Sequence, residues 1–144
     1  MIGNRLRILA AEKMDIYSDV PADFRRDEKT NDLAAVKNIS AVQQSMVAII
    51  STRKGERPFN PNFGCDIQGS LFENMTDASM FTIEKSVTMA IQQYEPRVKL
   101  QNVAITPNYD QNEYIVTISY QLITDLNYIY KLKLGLRNEQ NKHF

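Results

Sequence analysis

Residues 113–123, EYIVTISYQLI, follow the pattern of a half-buried β-strand. Successive side chains of a strand point to opposite faces of a sheet, so strict alternation marks a strand with one face on a core. Here Thr117, Ser119 and Gln121 occupy the polar positions. The apolar positions between and around them are Tyr114, Val116, Ile118, Tyr120 and Leu122.

Two further strands are predicted on either side of this one. Residues 98–105 alternate with a change of parity between Leu100 and Val103, which predicts a β-bulge. In residues 128–134, tyrosines and leucines alternate with Lys131 and Lys133. The linkers PNYDQN and TDLN are short and rich in turn residues, so we expect neighbouring strands to pair in antiparallel fashion.

Two helices are predicted ahead of the strands. The first begins at Asn38, capped by Asn38 or Ser40, and stops near Thr52. The second is capped by Thr76 and ends before Pro96, because the residue before a proline is driven out of the α region. Their apolar stripes are Ile39, Val42, Met46, Ile49 and Ile50 in the first, and Met80, Ile83, Val87, Ala90, Ile91 and Tyr94 in the second.

These elements predict an α+β domain, with two main helices packed on a small antiparallel three-stranded sheet and a long structured loop between the helices. We expect the domain to span residues 38–134. Residues 1–37 form an amino-terminal arm, and residues 135–144 form a polar carboxyl-terminal tail. The arm either stays solvated or becomes ordered on a partner, and the residues favour neither alternative.

The loop between the helices, residues 53–75, has no sustained period but carries enough apolar surface to be fastened down. Pro58 and Pro61 stiffen it, and Arg53 and Arg57 add positive charge. Its large apolar residues are Phe59, Phe63, Ile67, Leu71 and Phe72. We interpret the loop first as an internal lock over the helix pair and second as a contact for a partner.

Composition excludes several kinds of protein. Of the 144 residues, 17 are basic and 17 acidic, so no long-range field attracts nucleic acid or an anionic membrane. The longest strictly apolar run, Met46–Ile50, is far too short to span a bilayer. The single cysteine, Cys65, cannot form an internal disulfide, which suits synthesis in a reducing cytoplasm.

Catalytic chemistry is poorly represented. The one histidine, His143, lies in the polar tail, and Cys65 is more typical of a small buried residue than of a nucleophile. A glycosidase needs two carboxylates, one of them in an apolar pocket that raises its pKa. The candidates are Glu12, Asp15, Asp19, Glu73 and Glu95, and most have polar surroundings. We therefore predict no catalytic residue, no metal and no cofactor.

The segment YEPRV, residues 94–98, places an acid and a base on either side of a proline where the second helix ends. Pro96 restricts the backbone, so Glu95 and Arg97 project in fixed directions. Two interpretations remain open. The charges form a self-contained pair that pins the helix to the strand, or they form a rigid docking point for a partner.

Four segments together resemble a known family. They are TRKGERPFNPNFGCDI at 52–67, LFENMT at 71–76, YEPRV at 94–98 and, more weakly, YSD at 17–19. Through them the chain is similar to the baseplate wedge and sheath-initiator family of contractile phage tails, of the T-even type. That family also includes a baseplate component of type VI secretion systems. The likeness spans about residues 15–134.

This resemblance implies a structural protein of the virion, made in the host cytoplasm and located in the tail baseplate. It implies that the Glu95-Pro96-Arg97 element docks onto other wedge subunits, which form a helical core bundle. It also implies that the edge formed by strands 113–123 and 128–134 recruits the tail sheath protein. The expected partner-binding residues are Tyr94, Glu95, Pro96, Arg97, Arg53, Arg57, Phe59, Phe63, Tyr128, Tyr130, Lys131 and Lys133. The alternative is a lysozyme-like peptidoglycan hydrolase; neither nucleic acid nor membrane is an expected partner.

Overall fold

A computed structural model describes the backbone of residues 5–15 and 32–137 and the side chains of residues 39–137. Its elements are β1 (Arg5–Asp15), α1 (Asp32–Ser51), α2 (Gln68–Phe72), α3 (Asp77–Tyr94), β2 (Val98–Asn108), β3 (Glu113–Leu122) and β4 (Asp125–Arg137). The predicted α+β class is confirmed. The YSD segment, Asp19 and His143 lie outside the described residues, and the predicted domain boundaries stay predictions.

The sheet is antiparallel with strand order β1-β4-β3-β2. The strand with the clearest alternation in the sequence, β3, therefore lies between β4 and β2. All three predicted strands are confirmed, and β2 and β4 extend beyond their predicted ends. The predicted bulge is confirmed by a register shift between Leu100 and Asn102. It re-aligns β2 so that Val103 lies opposite Ile118 on the same face of the sheet.

The sheet has four strands rather than the predicted three. Its fourth strand, β1, comes from the segment expected to be an arm, and it pairs with β4 from Arg5 opposite Arg137 to Asp15 opposite Tyr128. A strand is stabilised by the neighbour it pairs with as much as by its own sequence. The open side of β4 provides that neighbour for a segment with no strong period of its own.

The hydrophobic core lies between the helices and one face of the sheet. Alternate residues of β3 and β4 meet on that face, as in the pairs Val116–Leu134 and Ile118–Leu132, all of them buried. They pack against buried residues of the two long helices, including Met46. The opposite face carries Thr117, Ser119, Lys131 and Lys133, none of which is buried. This is the one-sided burial expected of an antiparallel sheet.

The start of α3 is closed by a reciprocal capping box. Thr76 caps the helix by accepting from the Ser79 amide at 3.2 Å, and the Ser79 hydroxyl accepts from the Thr76 amide at 2.9 Å. Ser79 is buried, and its hydroxyl also lies 3.1 Å from the hydroxyl of Tyr114 on β3. The predicted cap is confirmed, and the capping residues also join helix to sheet.

The first helix begins earlier than predicted. It starts at Asp32, so Asn38 and Ser40 lie inside the helix and do not cap it. The intervening residues include Leu33, Ala34 and Ala35, which are strong helix formers, so propensity extends the helix beyond the apolar stripe. Its carboxyl end at Ser51 agrees with the prediction.

Gly64 is where the long loop returns to the end of α1. Its φ is +119°, and a Cβ built there would clash with the carbonyl oxygen of Thr52. The next amide, that of Cys65, donates to this same oxygen at 2.9 Å. Only glycine tolerates both the dihedral angle and the close approach of the backbone.

We therefore expect Gly64→Ala to lower the free energy of unfolding by about 2 kcal/mol or more, since left-handed strain and a backbone clash add together. Urea denaturation measures this loss. Gly69→Ala is the matched control, because nothing lies within 4 Å of a Cβ at that position. Equal midpoints for the two variants would contradict this account of the loop closure.

Candidate partner-docking site

The Glu-Pro-Arg segment forms the junction between α3 and β2. Glu95 caps the helix, and its amide still donates to the carbonyl of Ile91 at 2.9 Å. Pro96 lacks an amide hydrogen and cannot continue the helix. The Val98 amide donates back to the carbonyl of Glu95 at 3.3 Å, closing a tight turn into the strand. Arg97 thus sits at the corner of this turn.

Within the turn, the two charged side chains bind each other in a bidentate arrangement. Arg97 Nε donates to Glu95 Oε1 at 2.7 Å, and Arg97 Nη2 donates to Oε2 at 2.8 Å. Paired N–H···O bonds of this kind are the strong form of an arginine–carboxylate contact. The direction of the guanidinium plane is therefore set by the carboxylate.

Burial divides the pair into an inner and an outer member. Glu95 is 2% exposed, whereas Arg97 is 53% exposed. The hydrogen bonds from Arg97 lower the pKa of Glu95 although burial acts in the opposite direction, and Ser45 of α1 contributes a smaller lowering. Glu95 therefore stays ionised beneath the surface. Because its side chain is almost completely buried, it can offer a partner very little contact area.

Arg97 retains capacity for a partner. A guanidinium carries five N–H donors, and the side chain of Glu95 uses two of them. The others belong to a side chain that is more than half exposed and already oriented. The two charges thus form the internal pair of the first interpretation, and docking through the exposed member, Arg97, stays a prediction.

An apolar neighbour of Arg97 was missed by the sequence analysis. The Ile123 amide donates to the carbonyl of Arg97 at 3.0 Å, and the Ile123 side chain is 58% exposed. Leu126, near the start of β4, is also exposed. The available signal was the alternation of β3, which puts Ile123 on the opposite face from buried Leu122. The surface around Arg97 therefore combines guanidinium donors with the exposed apolar side chain of Ile123.

The long loop is fastened to α3 close to this junction. The ring of Phe63 lies 4.9 Å from that of Tyr94, and the Tyr94 hydroxyl donates to the carbonyl of Asn62 at 2.5 Å. The Arg57 guanidinium lies 4.1 Å from the centre of the Phe63 ring. Phe63 thus acts as the internal lock that the sequence predicted. Tyr94 braces the loop with its ring and hydroxyl.

Phe59 does not share that role. Its side chain is 100% exposed, so it locks nothing within the part of the chain that the structure describes. The predicted loop residues therefore separate into two groups, with Phe63 packed against the core and Phe59 directed into solvent. As partner contacts, Arg53, Arg57, Phe59 and Phe63 stay predictions.

The predicted docking edge of β3 and β4 is wrong, because both strands are flanked on each side by strands of the same chain. Tyr130 is 5% exposed and stacks on Tyr120 at 5.7 Å between ring centres, so it belongs to the core. Lys131 and Lys133 point to the outer face of the sheet, and Tyr128 is half-buried. A strand edge for a partner must lie elsewhere.

The outer edge of β2 is the sheet edge that lies next to the turn formed by Glu95, Pro96 and Arg97. In an antiparallel ladder, residues alternate between bonding the partner strand and pointing away from it. The hydrogen bond from the Ile123 amide to the Arg97 carbonyl shows that the backbone of Arg97 faces β3. When the register is followed from there through the bulge, the backbone N–H and C=O groups of Val103 and Ile105 point away from β3. Pro107, which has no N–H, falls in the same outward set, as a proline on an edge strand should.

The remaining chemistry of the described residues is sparse. Burial raises the pKa of the Cys65 thiol to about 12, so this buried cysteine is a core residue, as predicted. Residues 39–137 contain no group of three or more His, Cys, Asp or Glu side chains placed to hold a metal ion. Nor does any described helix have the length and apolarity needed to cross a membrane.

Comparison with known proteins gives consistent matches. The family model described as baseplate wedge protein gp25 matches residues 37–126. The baseplate wedge protein gp25 of Enterobacteria phage T4 is 37% identical over 121 residues, which cover 84% of this chain and 91% of that protein.

Solved structures share the fold. A Geobacter sulfurreducens protein described as a candidate tail lysozyme matches with a TM-score of 0.63 and 26% identity, over 72% of this chain and 94% of that one. A chain in the anti-feeding prophage baseplate matches with a TM-score of 0.54 and 29% identity, over 58% and 68%. A chain in the baseplate complex of the type VI secretion system matches with a TM-score of 0.61 over 72% and 97%, and at 14% identity it shows the fold alone.

The buried carboxylate generates a prediction about stability and pH. We expect Glu95→Gln to lower the free energy of unfolding by about 1–3 kcal/mol near neutral pH, because a buried charge-assisted pair is lost. Because folding lowers the pKa of Glu95 below its ordinary value of 4.5, its contribution is present above that pH. It is lost as the pH falls through 4.5 towards the folded-state pKa.

Chemical denaturation between pH 3 and pH 7 measures both effects. The difference in unfolding free energy between the wild type and Glu95→Gln should shrink on acidification. Glu84 is an exposed carboxylate on α3, so Glu84→Gln should have the stability of the wild type at every pH. A constant difference between wild type and Glu95→Gln at every pH would show that the carboxylate charge contributes nothing.

Proposed function

The chain belongs to the baseplate wedge protein gp25 family, and from this membership we propose that it is a structural subunit of a contractile tail baseplate that joins the wedge to the sheath. The observation that carries the proposal is the identity with the T4 wedge protein over most of both chains. The relative found within the anti-feeding prophage baseplate supports contact with other baseplate components.

The wedge contact is proposed at Arg97. Its guanidinium is oriented by a buried carboxylate, so little side-chain entropy is lost when a partner binds it. Glu95 also offsets its charge, so recognition depends on the direction of the remaining N–H groups more than on long-range attraction. A carboxylate beside an apolar side chain on a wedge subunit would match Arg97 and exposed Ile123 together.

We expect Arg97→Ala to reduce incorporation into co-expressed wedge complexes by roughly tenfold or more, as for the loss of a central arginine in an interface. Arg97→Lys keeps the charge but loses the planar fork, so an intermediate loss is expected. Lys99→Ala removes an exposed cation two residues away and should have no effect. Incorporation is measured by co-purification and quantitative mass spectrometry, with unfolding curves for each variant.

Full incorporation of a folded Arg97→Ala chain would overturn this docking role. The Arg97→Lys variant keeps the test informative if Arg97→Ala leaves Glu95 buried without its partner and lowers stability.

Sheath templating is proposed at the outer edge of β2. An unpaired strand edge presents a row of N–H and C=O groups, and adding a strand from another chain satisfies them. The edge extends from the docking turn to Pro107, with Val103 and Ile105 among its outward residues. An extended arm of the sheath protein would complete a fifth strand there.

We expect Ile105→Pro to leave wedge incorporation intact and to block sheath assembly, because it removes an outward N–H that the β2–β3 ladder does not use. Ile105→Ala is the matched control: it loses the same packing of a half-buried side chain but keeps the N–H. Electron microscopy of particles counts full-length sheaths. Normal sheaths on the proline variant would refute the β2 edge as the template.

The description of the Geobacter relative raises peptidoglycan hydrolysis as a second candidate. A glycosidase general acid needs a raised pKa, whereas the hydrogen bonds to Glu95 lower its pKa. The other buried carboxylate of residues 39–137, Glu113, has the cation of Arg137 3.8 Å away. These features support a non-enzymatic role. Clearing of a murein suspension by the purified chain would contradict it.

A further inference from the structure

Phe59 is fully exposed at the tip of the loop that joins α1 to Cys65. Single exposed apolar side chains are ordinary on protein surfaces. Six others within residues 39–137 are between 49% and 71% exposed: Phe72, Phe81, Met89, Tyr109, Ile123 and Leu126. Each of these rests partly on its own chain. Phe59 at 100% does not, so its ring contributes nothing to folding.

The backbone beneath this ring is nevertheless held in place. The Gly55 amide donates to the carbonyl of Pro61 at 2.7 Å, tying the two sides of the loop together. The Asn60 amide donates to the carbonyl of Arg57 at 3.3 Å, forming the turn that carries Phe59. Below them, the Cys65 amide closes the loop on Thr52. Pro58 precedes Phe59 directly and limits the backbone further.

An exposed aromatic ring on a fixed turn is suited to binding. Its insertion into a pocket removes apolar surface from water at little conformational cost, because the backbone is already ordered. Aromatic side chains are enriched in the buried centres of protein interfaces for this reason. Solubility does not explain an exposed phenylalanine, because a polar side chain would serve solubility better.

The charges around the ring specify the partner. Within residues 53–65, Arg53, Lys54 and Arg57 are all exposed and Glu56 is the single acid, so this part of the loop carries two net positive charges. The Glu56 carboxylate accepts from the Arg53 amide at 3.0 Å and is turned towards its own backbone. Arg57 is held against Phe63. A complementary surface would therefore present carboxylates around an apolar cavity.

We propose that Phe59 inserts into an apolar pocket rimmed by carboxylates on a neighbouring protein subunit. The inference rests on the proposed function for the identity of the assembly, but its contact differs from Arg97 in position and in chemistry. A bilayer is a weaker match, because one ring and two net charges give too little affinity for stable attachment.

The direct test replaces Phe59 with the photo-crosslinking residue p-benzoylphenylalanine in cells that assemble complete particles. After irradiation and particle purification, mass spectrometry should find a cross-link to an apolar residue of another baseplate subunit with Asp or Glu nearby. The same replacement at Tyr109, 71% exposed in the β2–β3 turn, is the control. Cross-links confined to this chain, or none at position 59, would overturn the proposal.

Variants distinguish this contact from fold and from Arg97. Phe59→Ala should leave the unfolding midpoint unchanged and lower incorporation by roughly 30-fold, the loss typical of a buried anchor. Phe63→Ala should instead lower the midpoint, because its half-buried ring is packed under the loop. Normal incorporation of Phe59→Ala alongside defective Arg97→Ala would refute the Phe59 contact alone. Sedimentation with vesicles containing phosphatidylserine should recover no protein, and Phe59-dependent recovery would favour a membrane instead.

Discussion

The junction between α3 and β2 is built around an ionised carboxylate that is almost completely removed from water. Glu95 is 2% exposed at the point where α3 stops and β2 starts. Leaving such a charge unpaired would cost several kcal/mol, so Arg97 must stay in place, and Pro96 between them limits the backbone that connects them. The end of α3, the turn and the start of β2 therefore form one structural unit. Because Arg97 also bonds Ile123 through its carbonyl, the register of β2 against β3 is tied to the same unit.

The long loop follows a similar division between an inward anchor and an outward group. Phe63 and Tyr94 attach it to α3, and Gly64 allows it to approach the end of α1 without a clash. These contacts make the loop rigid, but none of them involves Phe59, which lies at the exposed tip. In both places, then, buried contacts fix the backbone beneath an exposed side chain: Arg97, which also pairs with buried Glu95, and Phe59, which makes no contact with its own chain. That pattern fits a subunit whose surfaces are used by neighbours.

Sequence patterns predicted the parts of the fold that depend on local periodicity. The alternation of β3, the bulge near Leu100 and the cap at Thr76 all follow from nearest neighbours along the chain. They could not predict β1, because its pairing depends on the edge that β4 offers more than 110 residues later. Nor could they separate Phe59 from Phe63, two phenylalanines in one loop whose roles are set by tertiary contact. For the charged pair, spacing identified the residues, but only geometry revealed that Glu95 is inside and Arg97 outside.

The two margins of the sheet differ in a way that bears on assembly. The margin at β4 is covered by β1 of the same chain, whereas β2 has a strand on one side within the described residues. Pro107 limits pairing at one end of β2, and the docking turn limits it at the other. If Arg97 is held by a wedge subunit, the strand that begins beside it is held as well. A strand added there would have its position determined by the wedge, so that the same few residues would connect the two contacts mechanically.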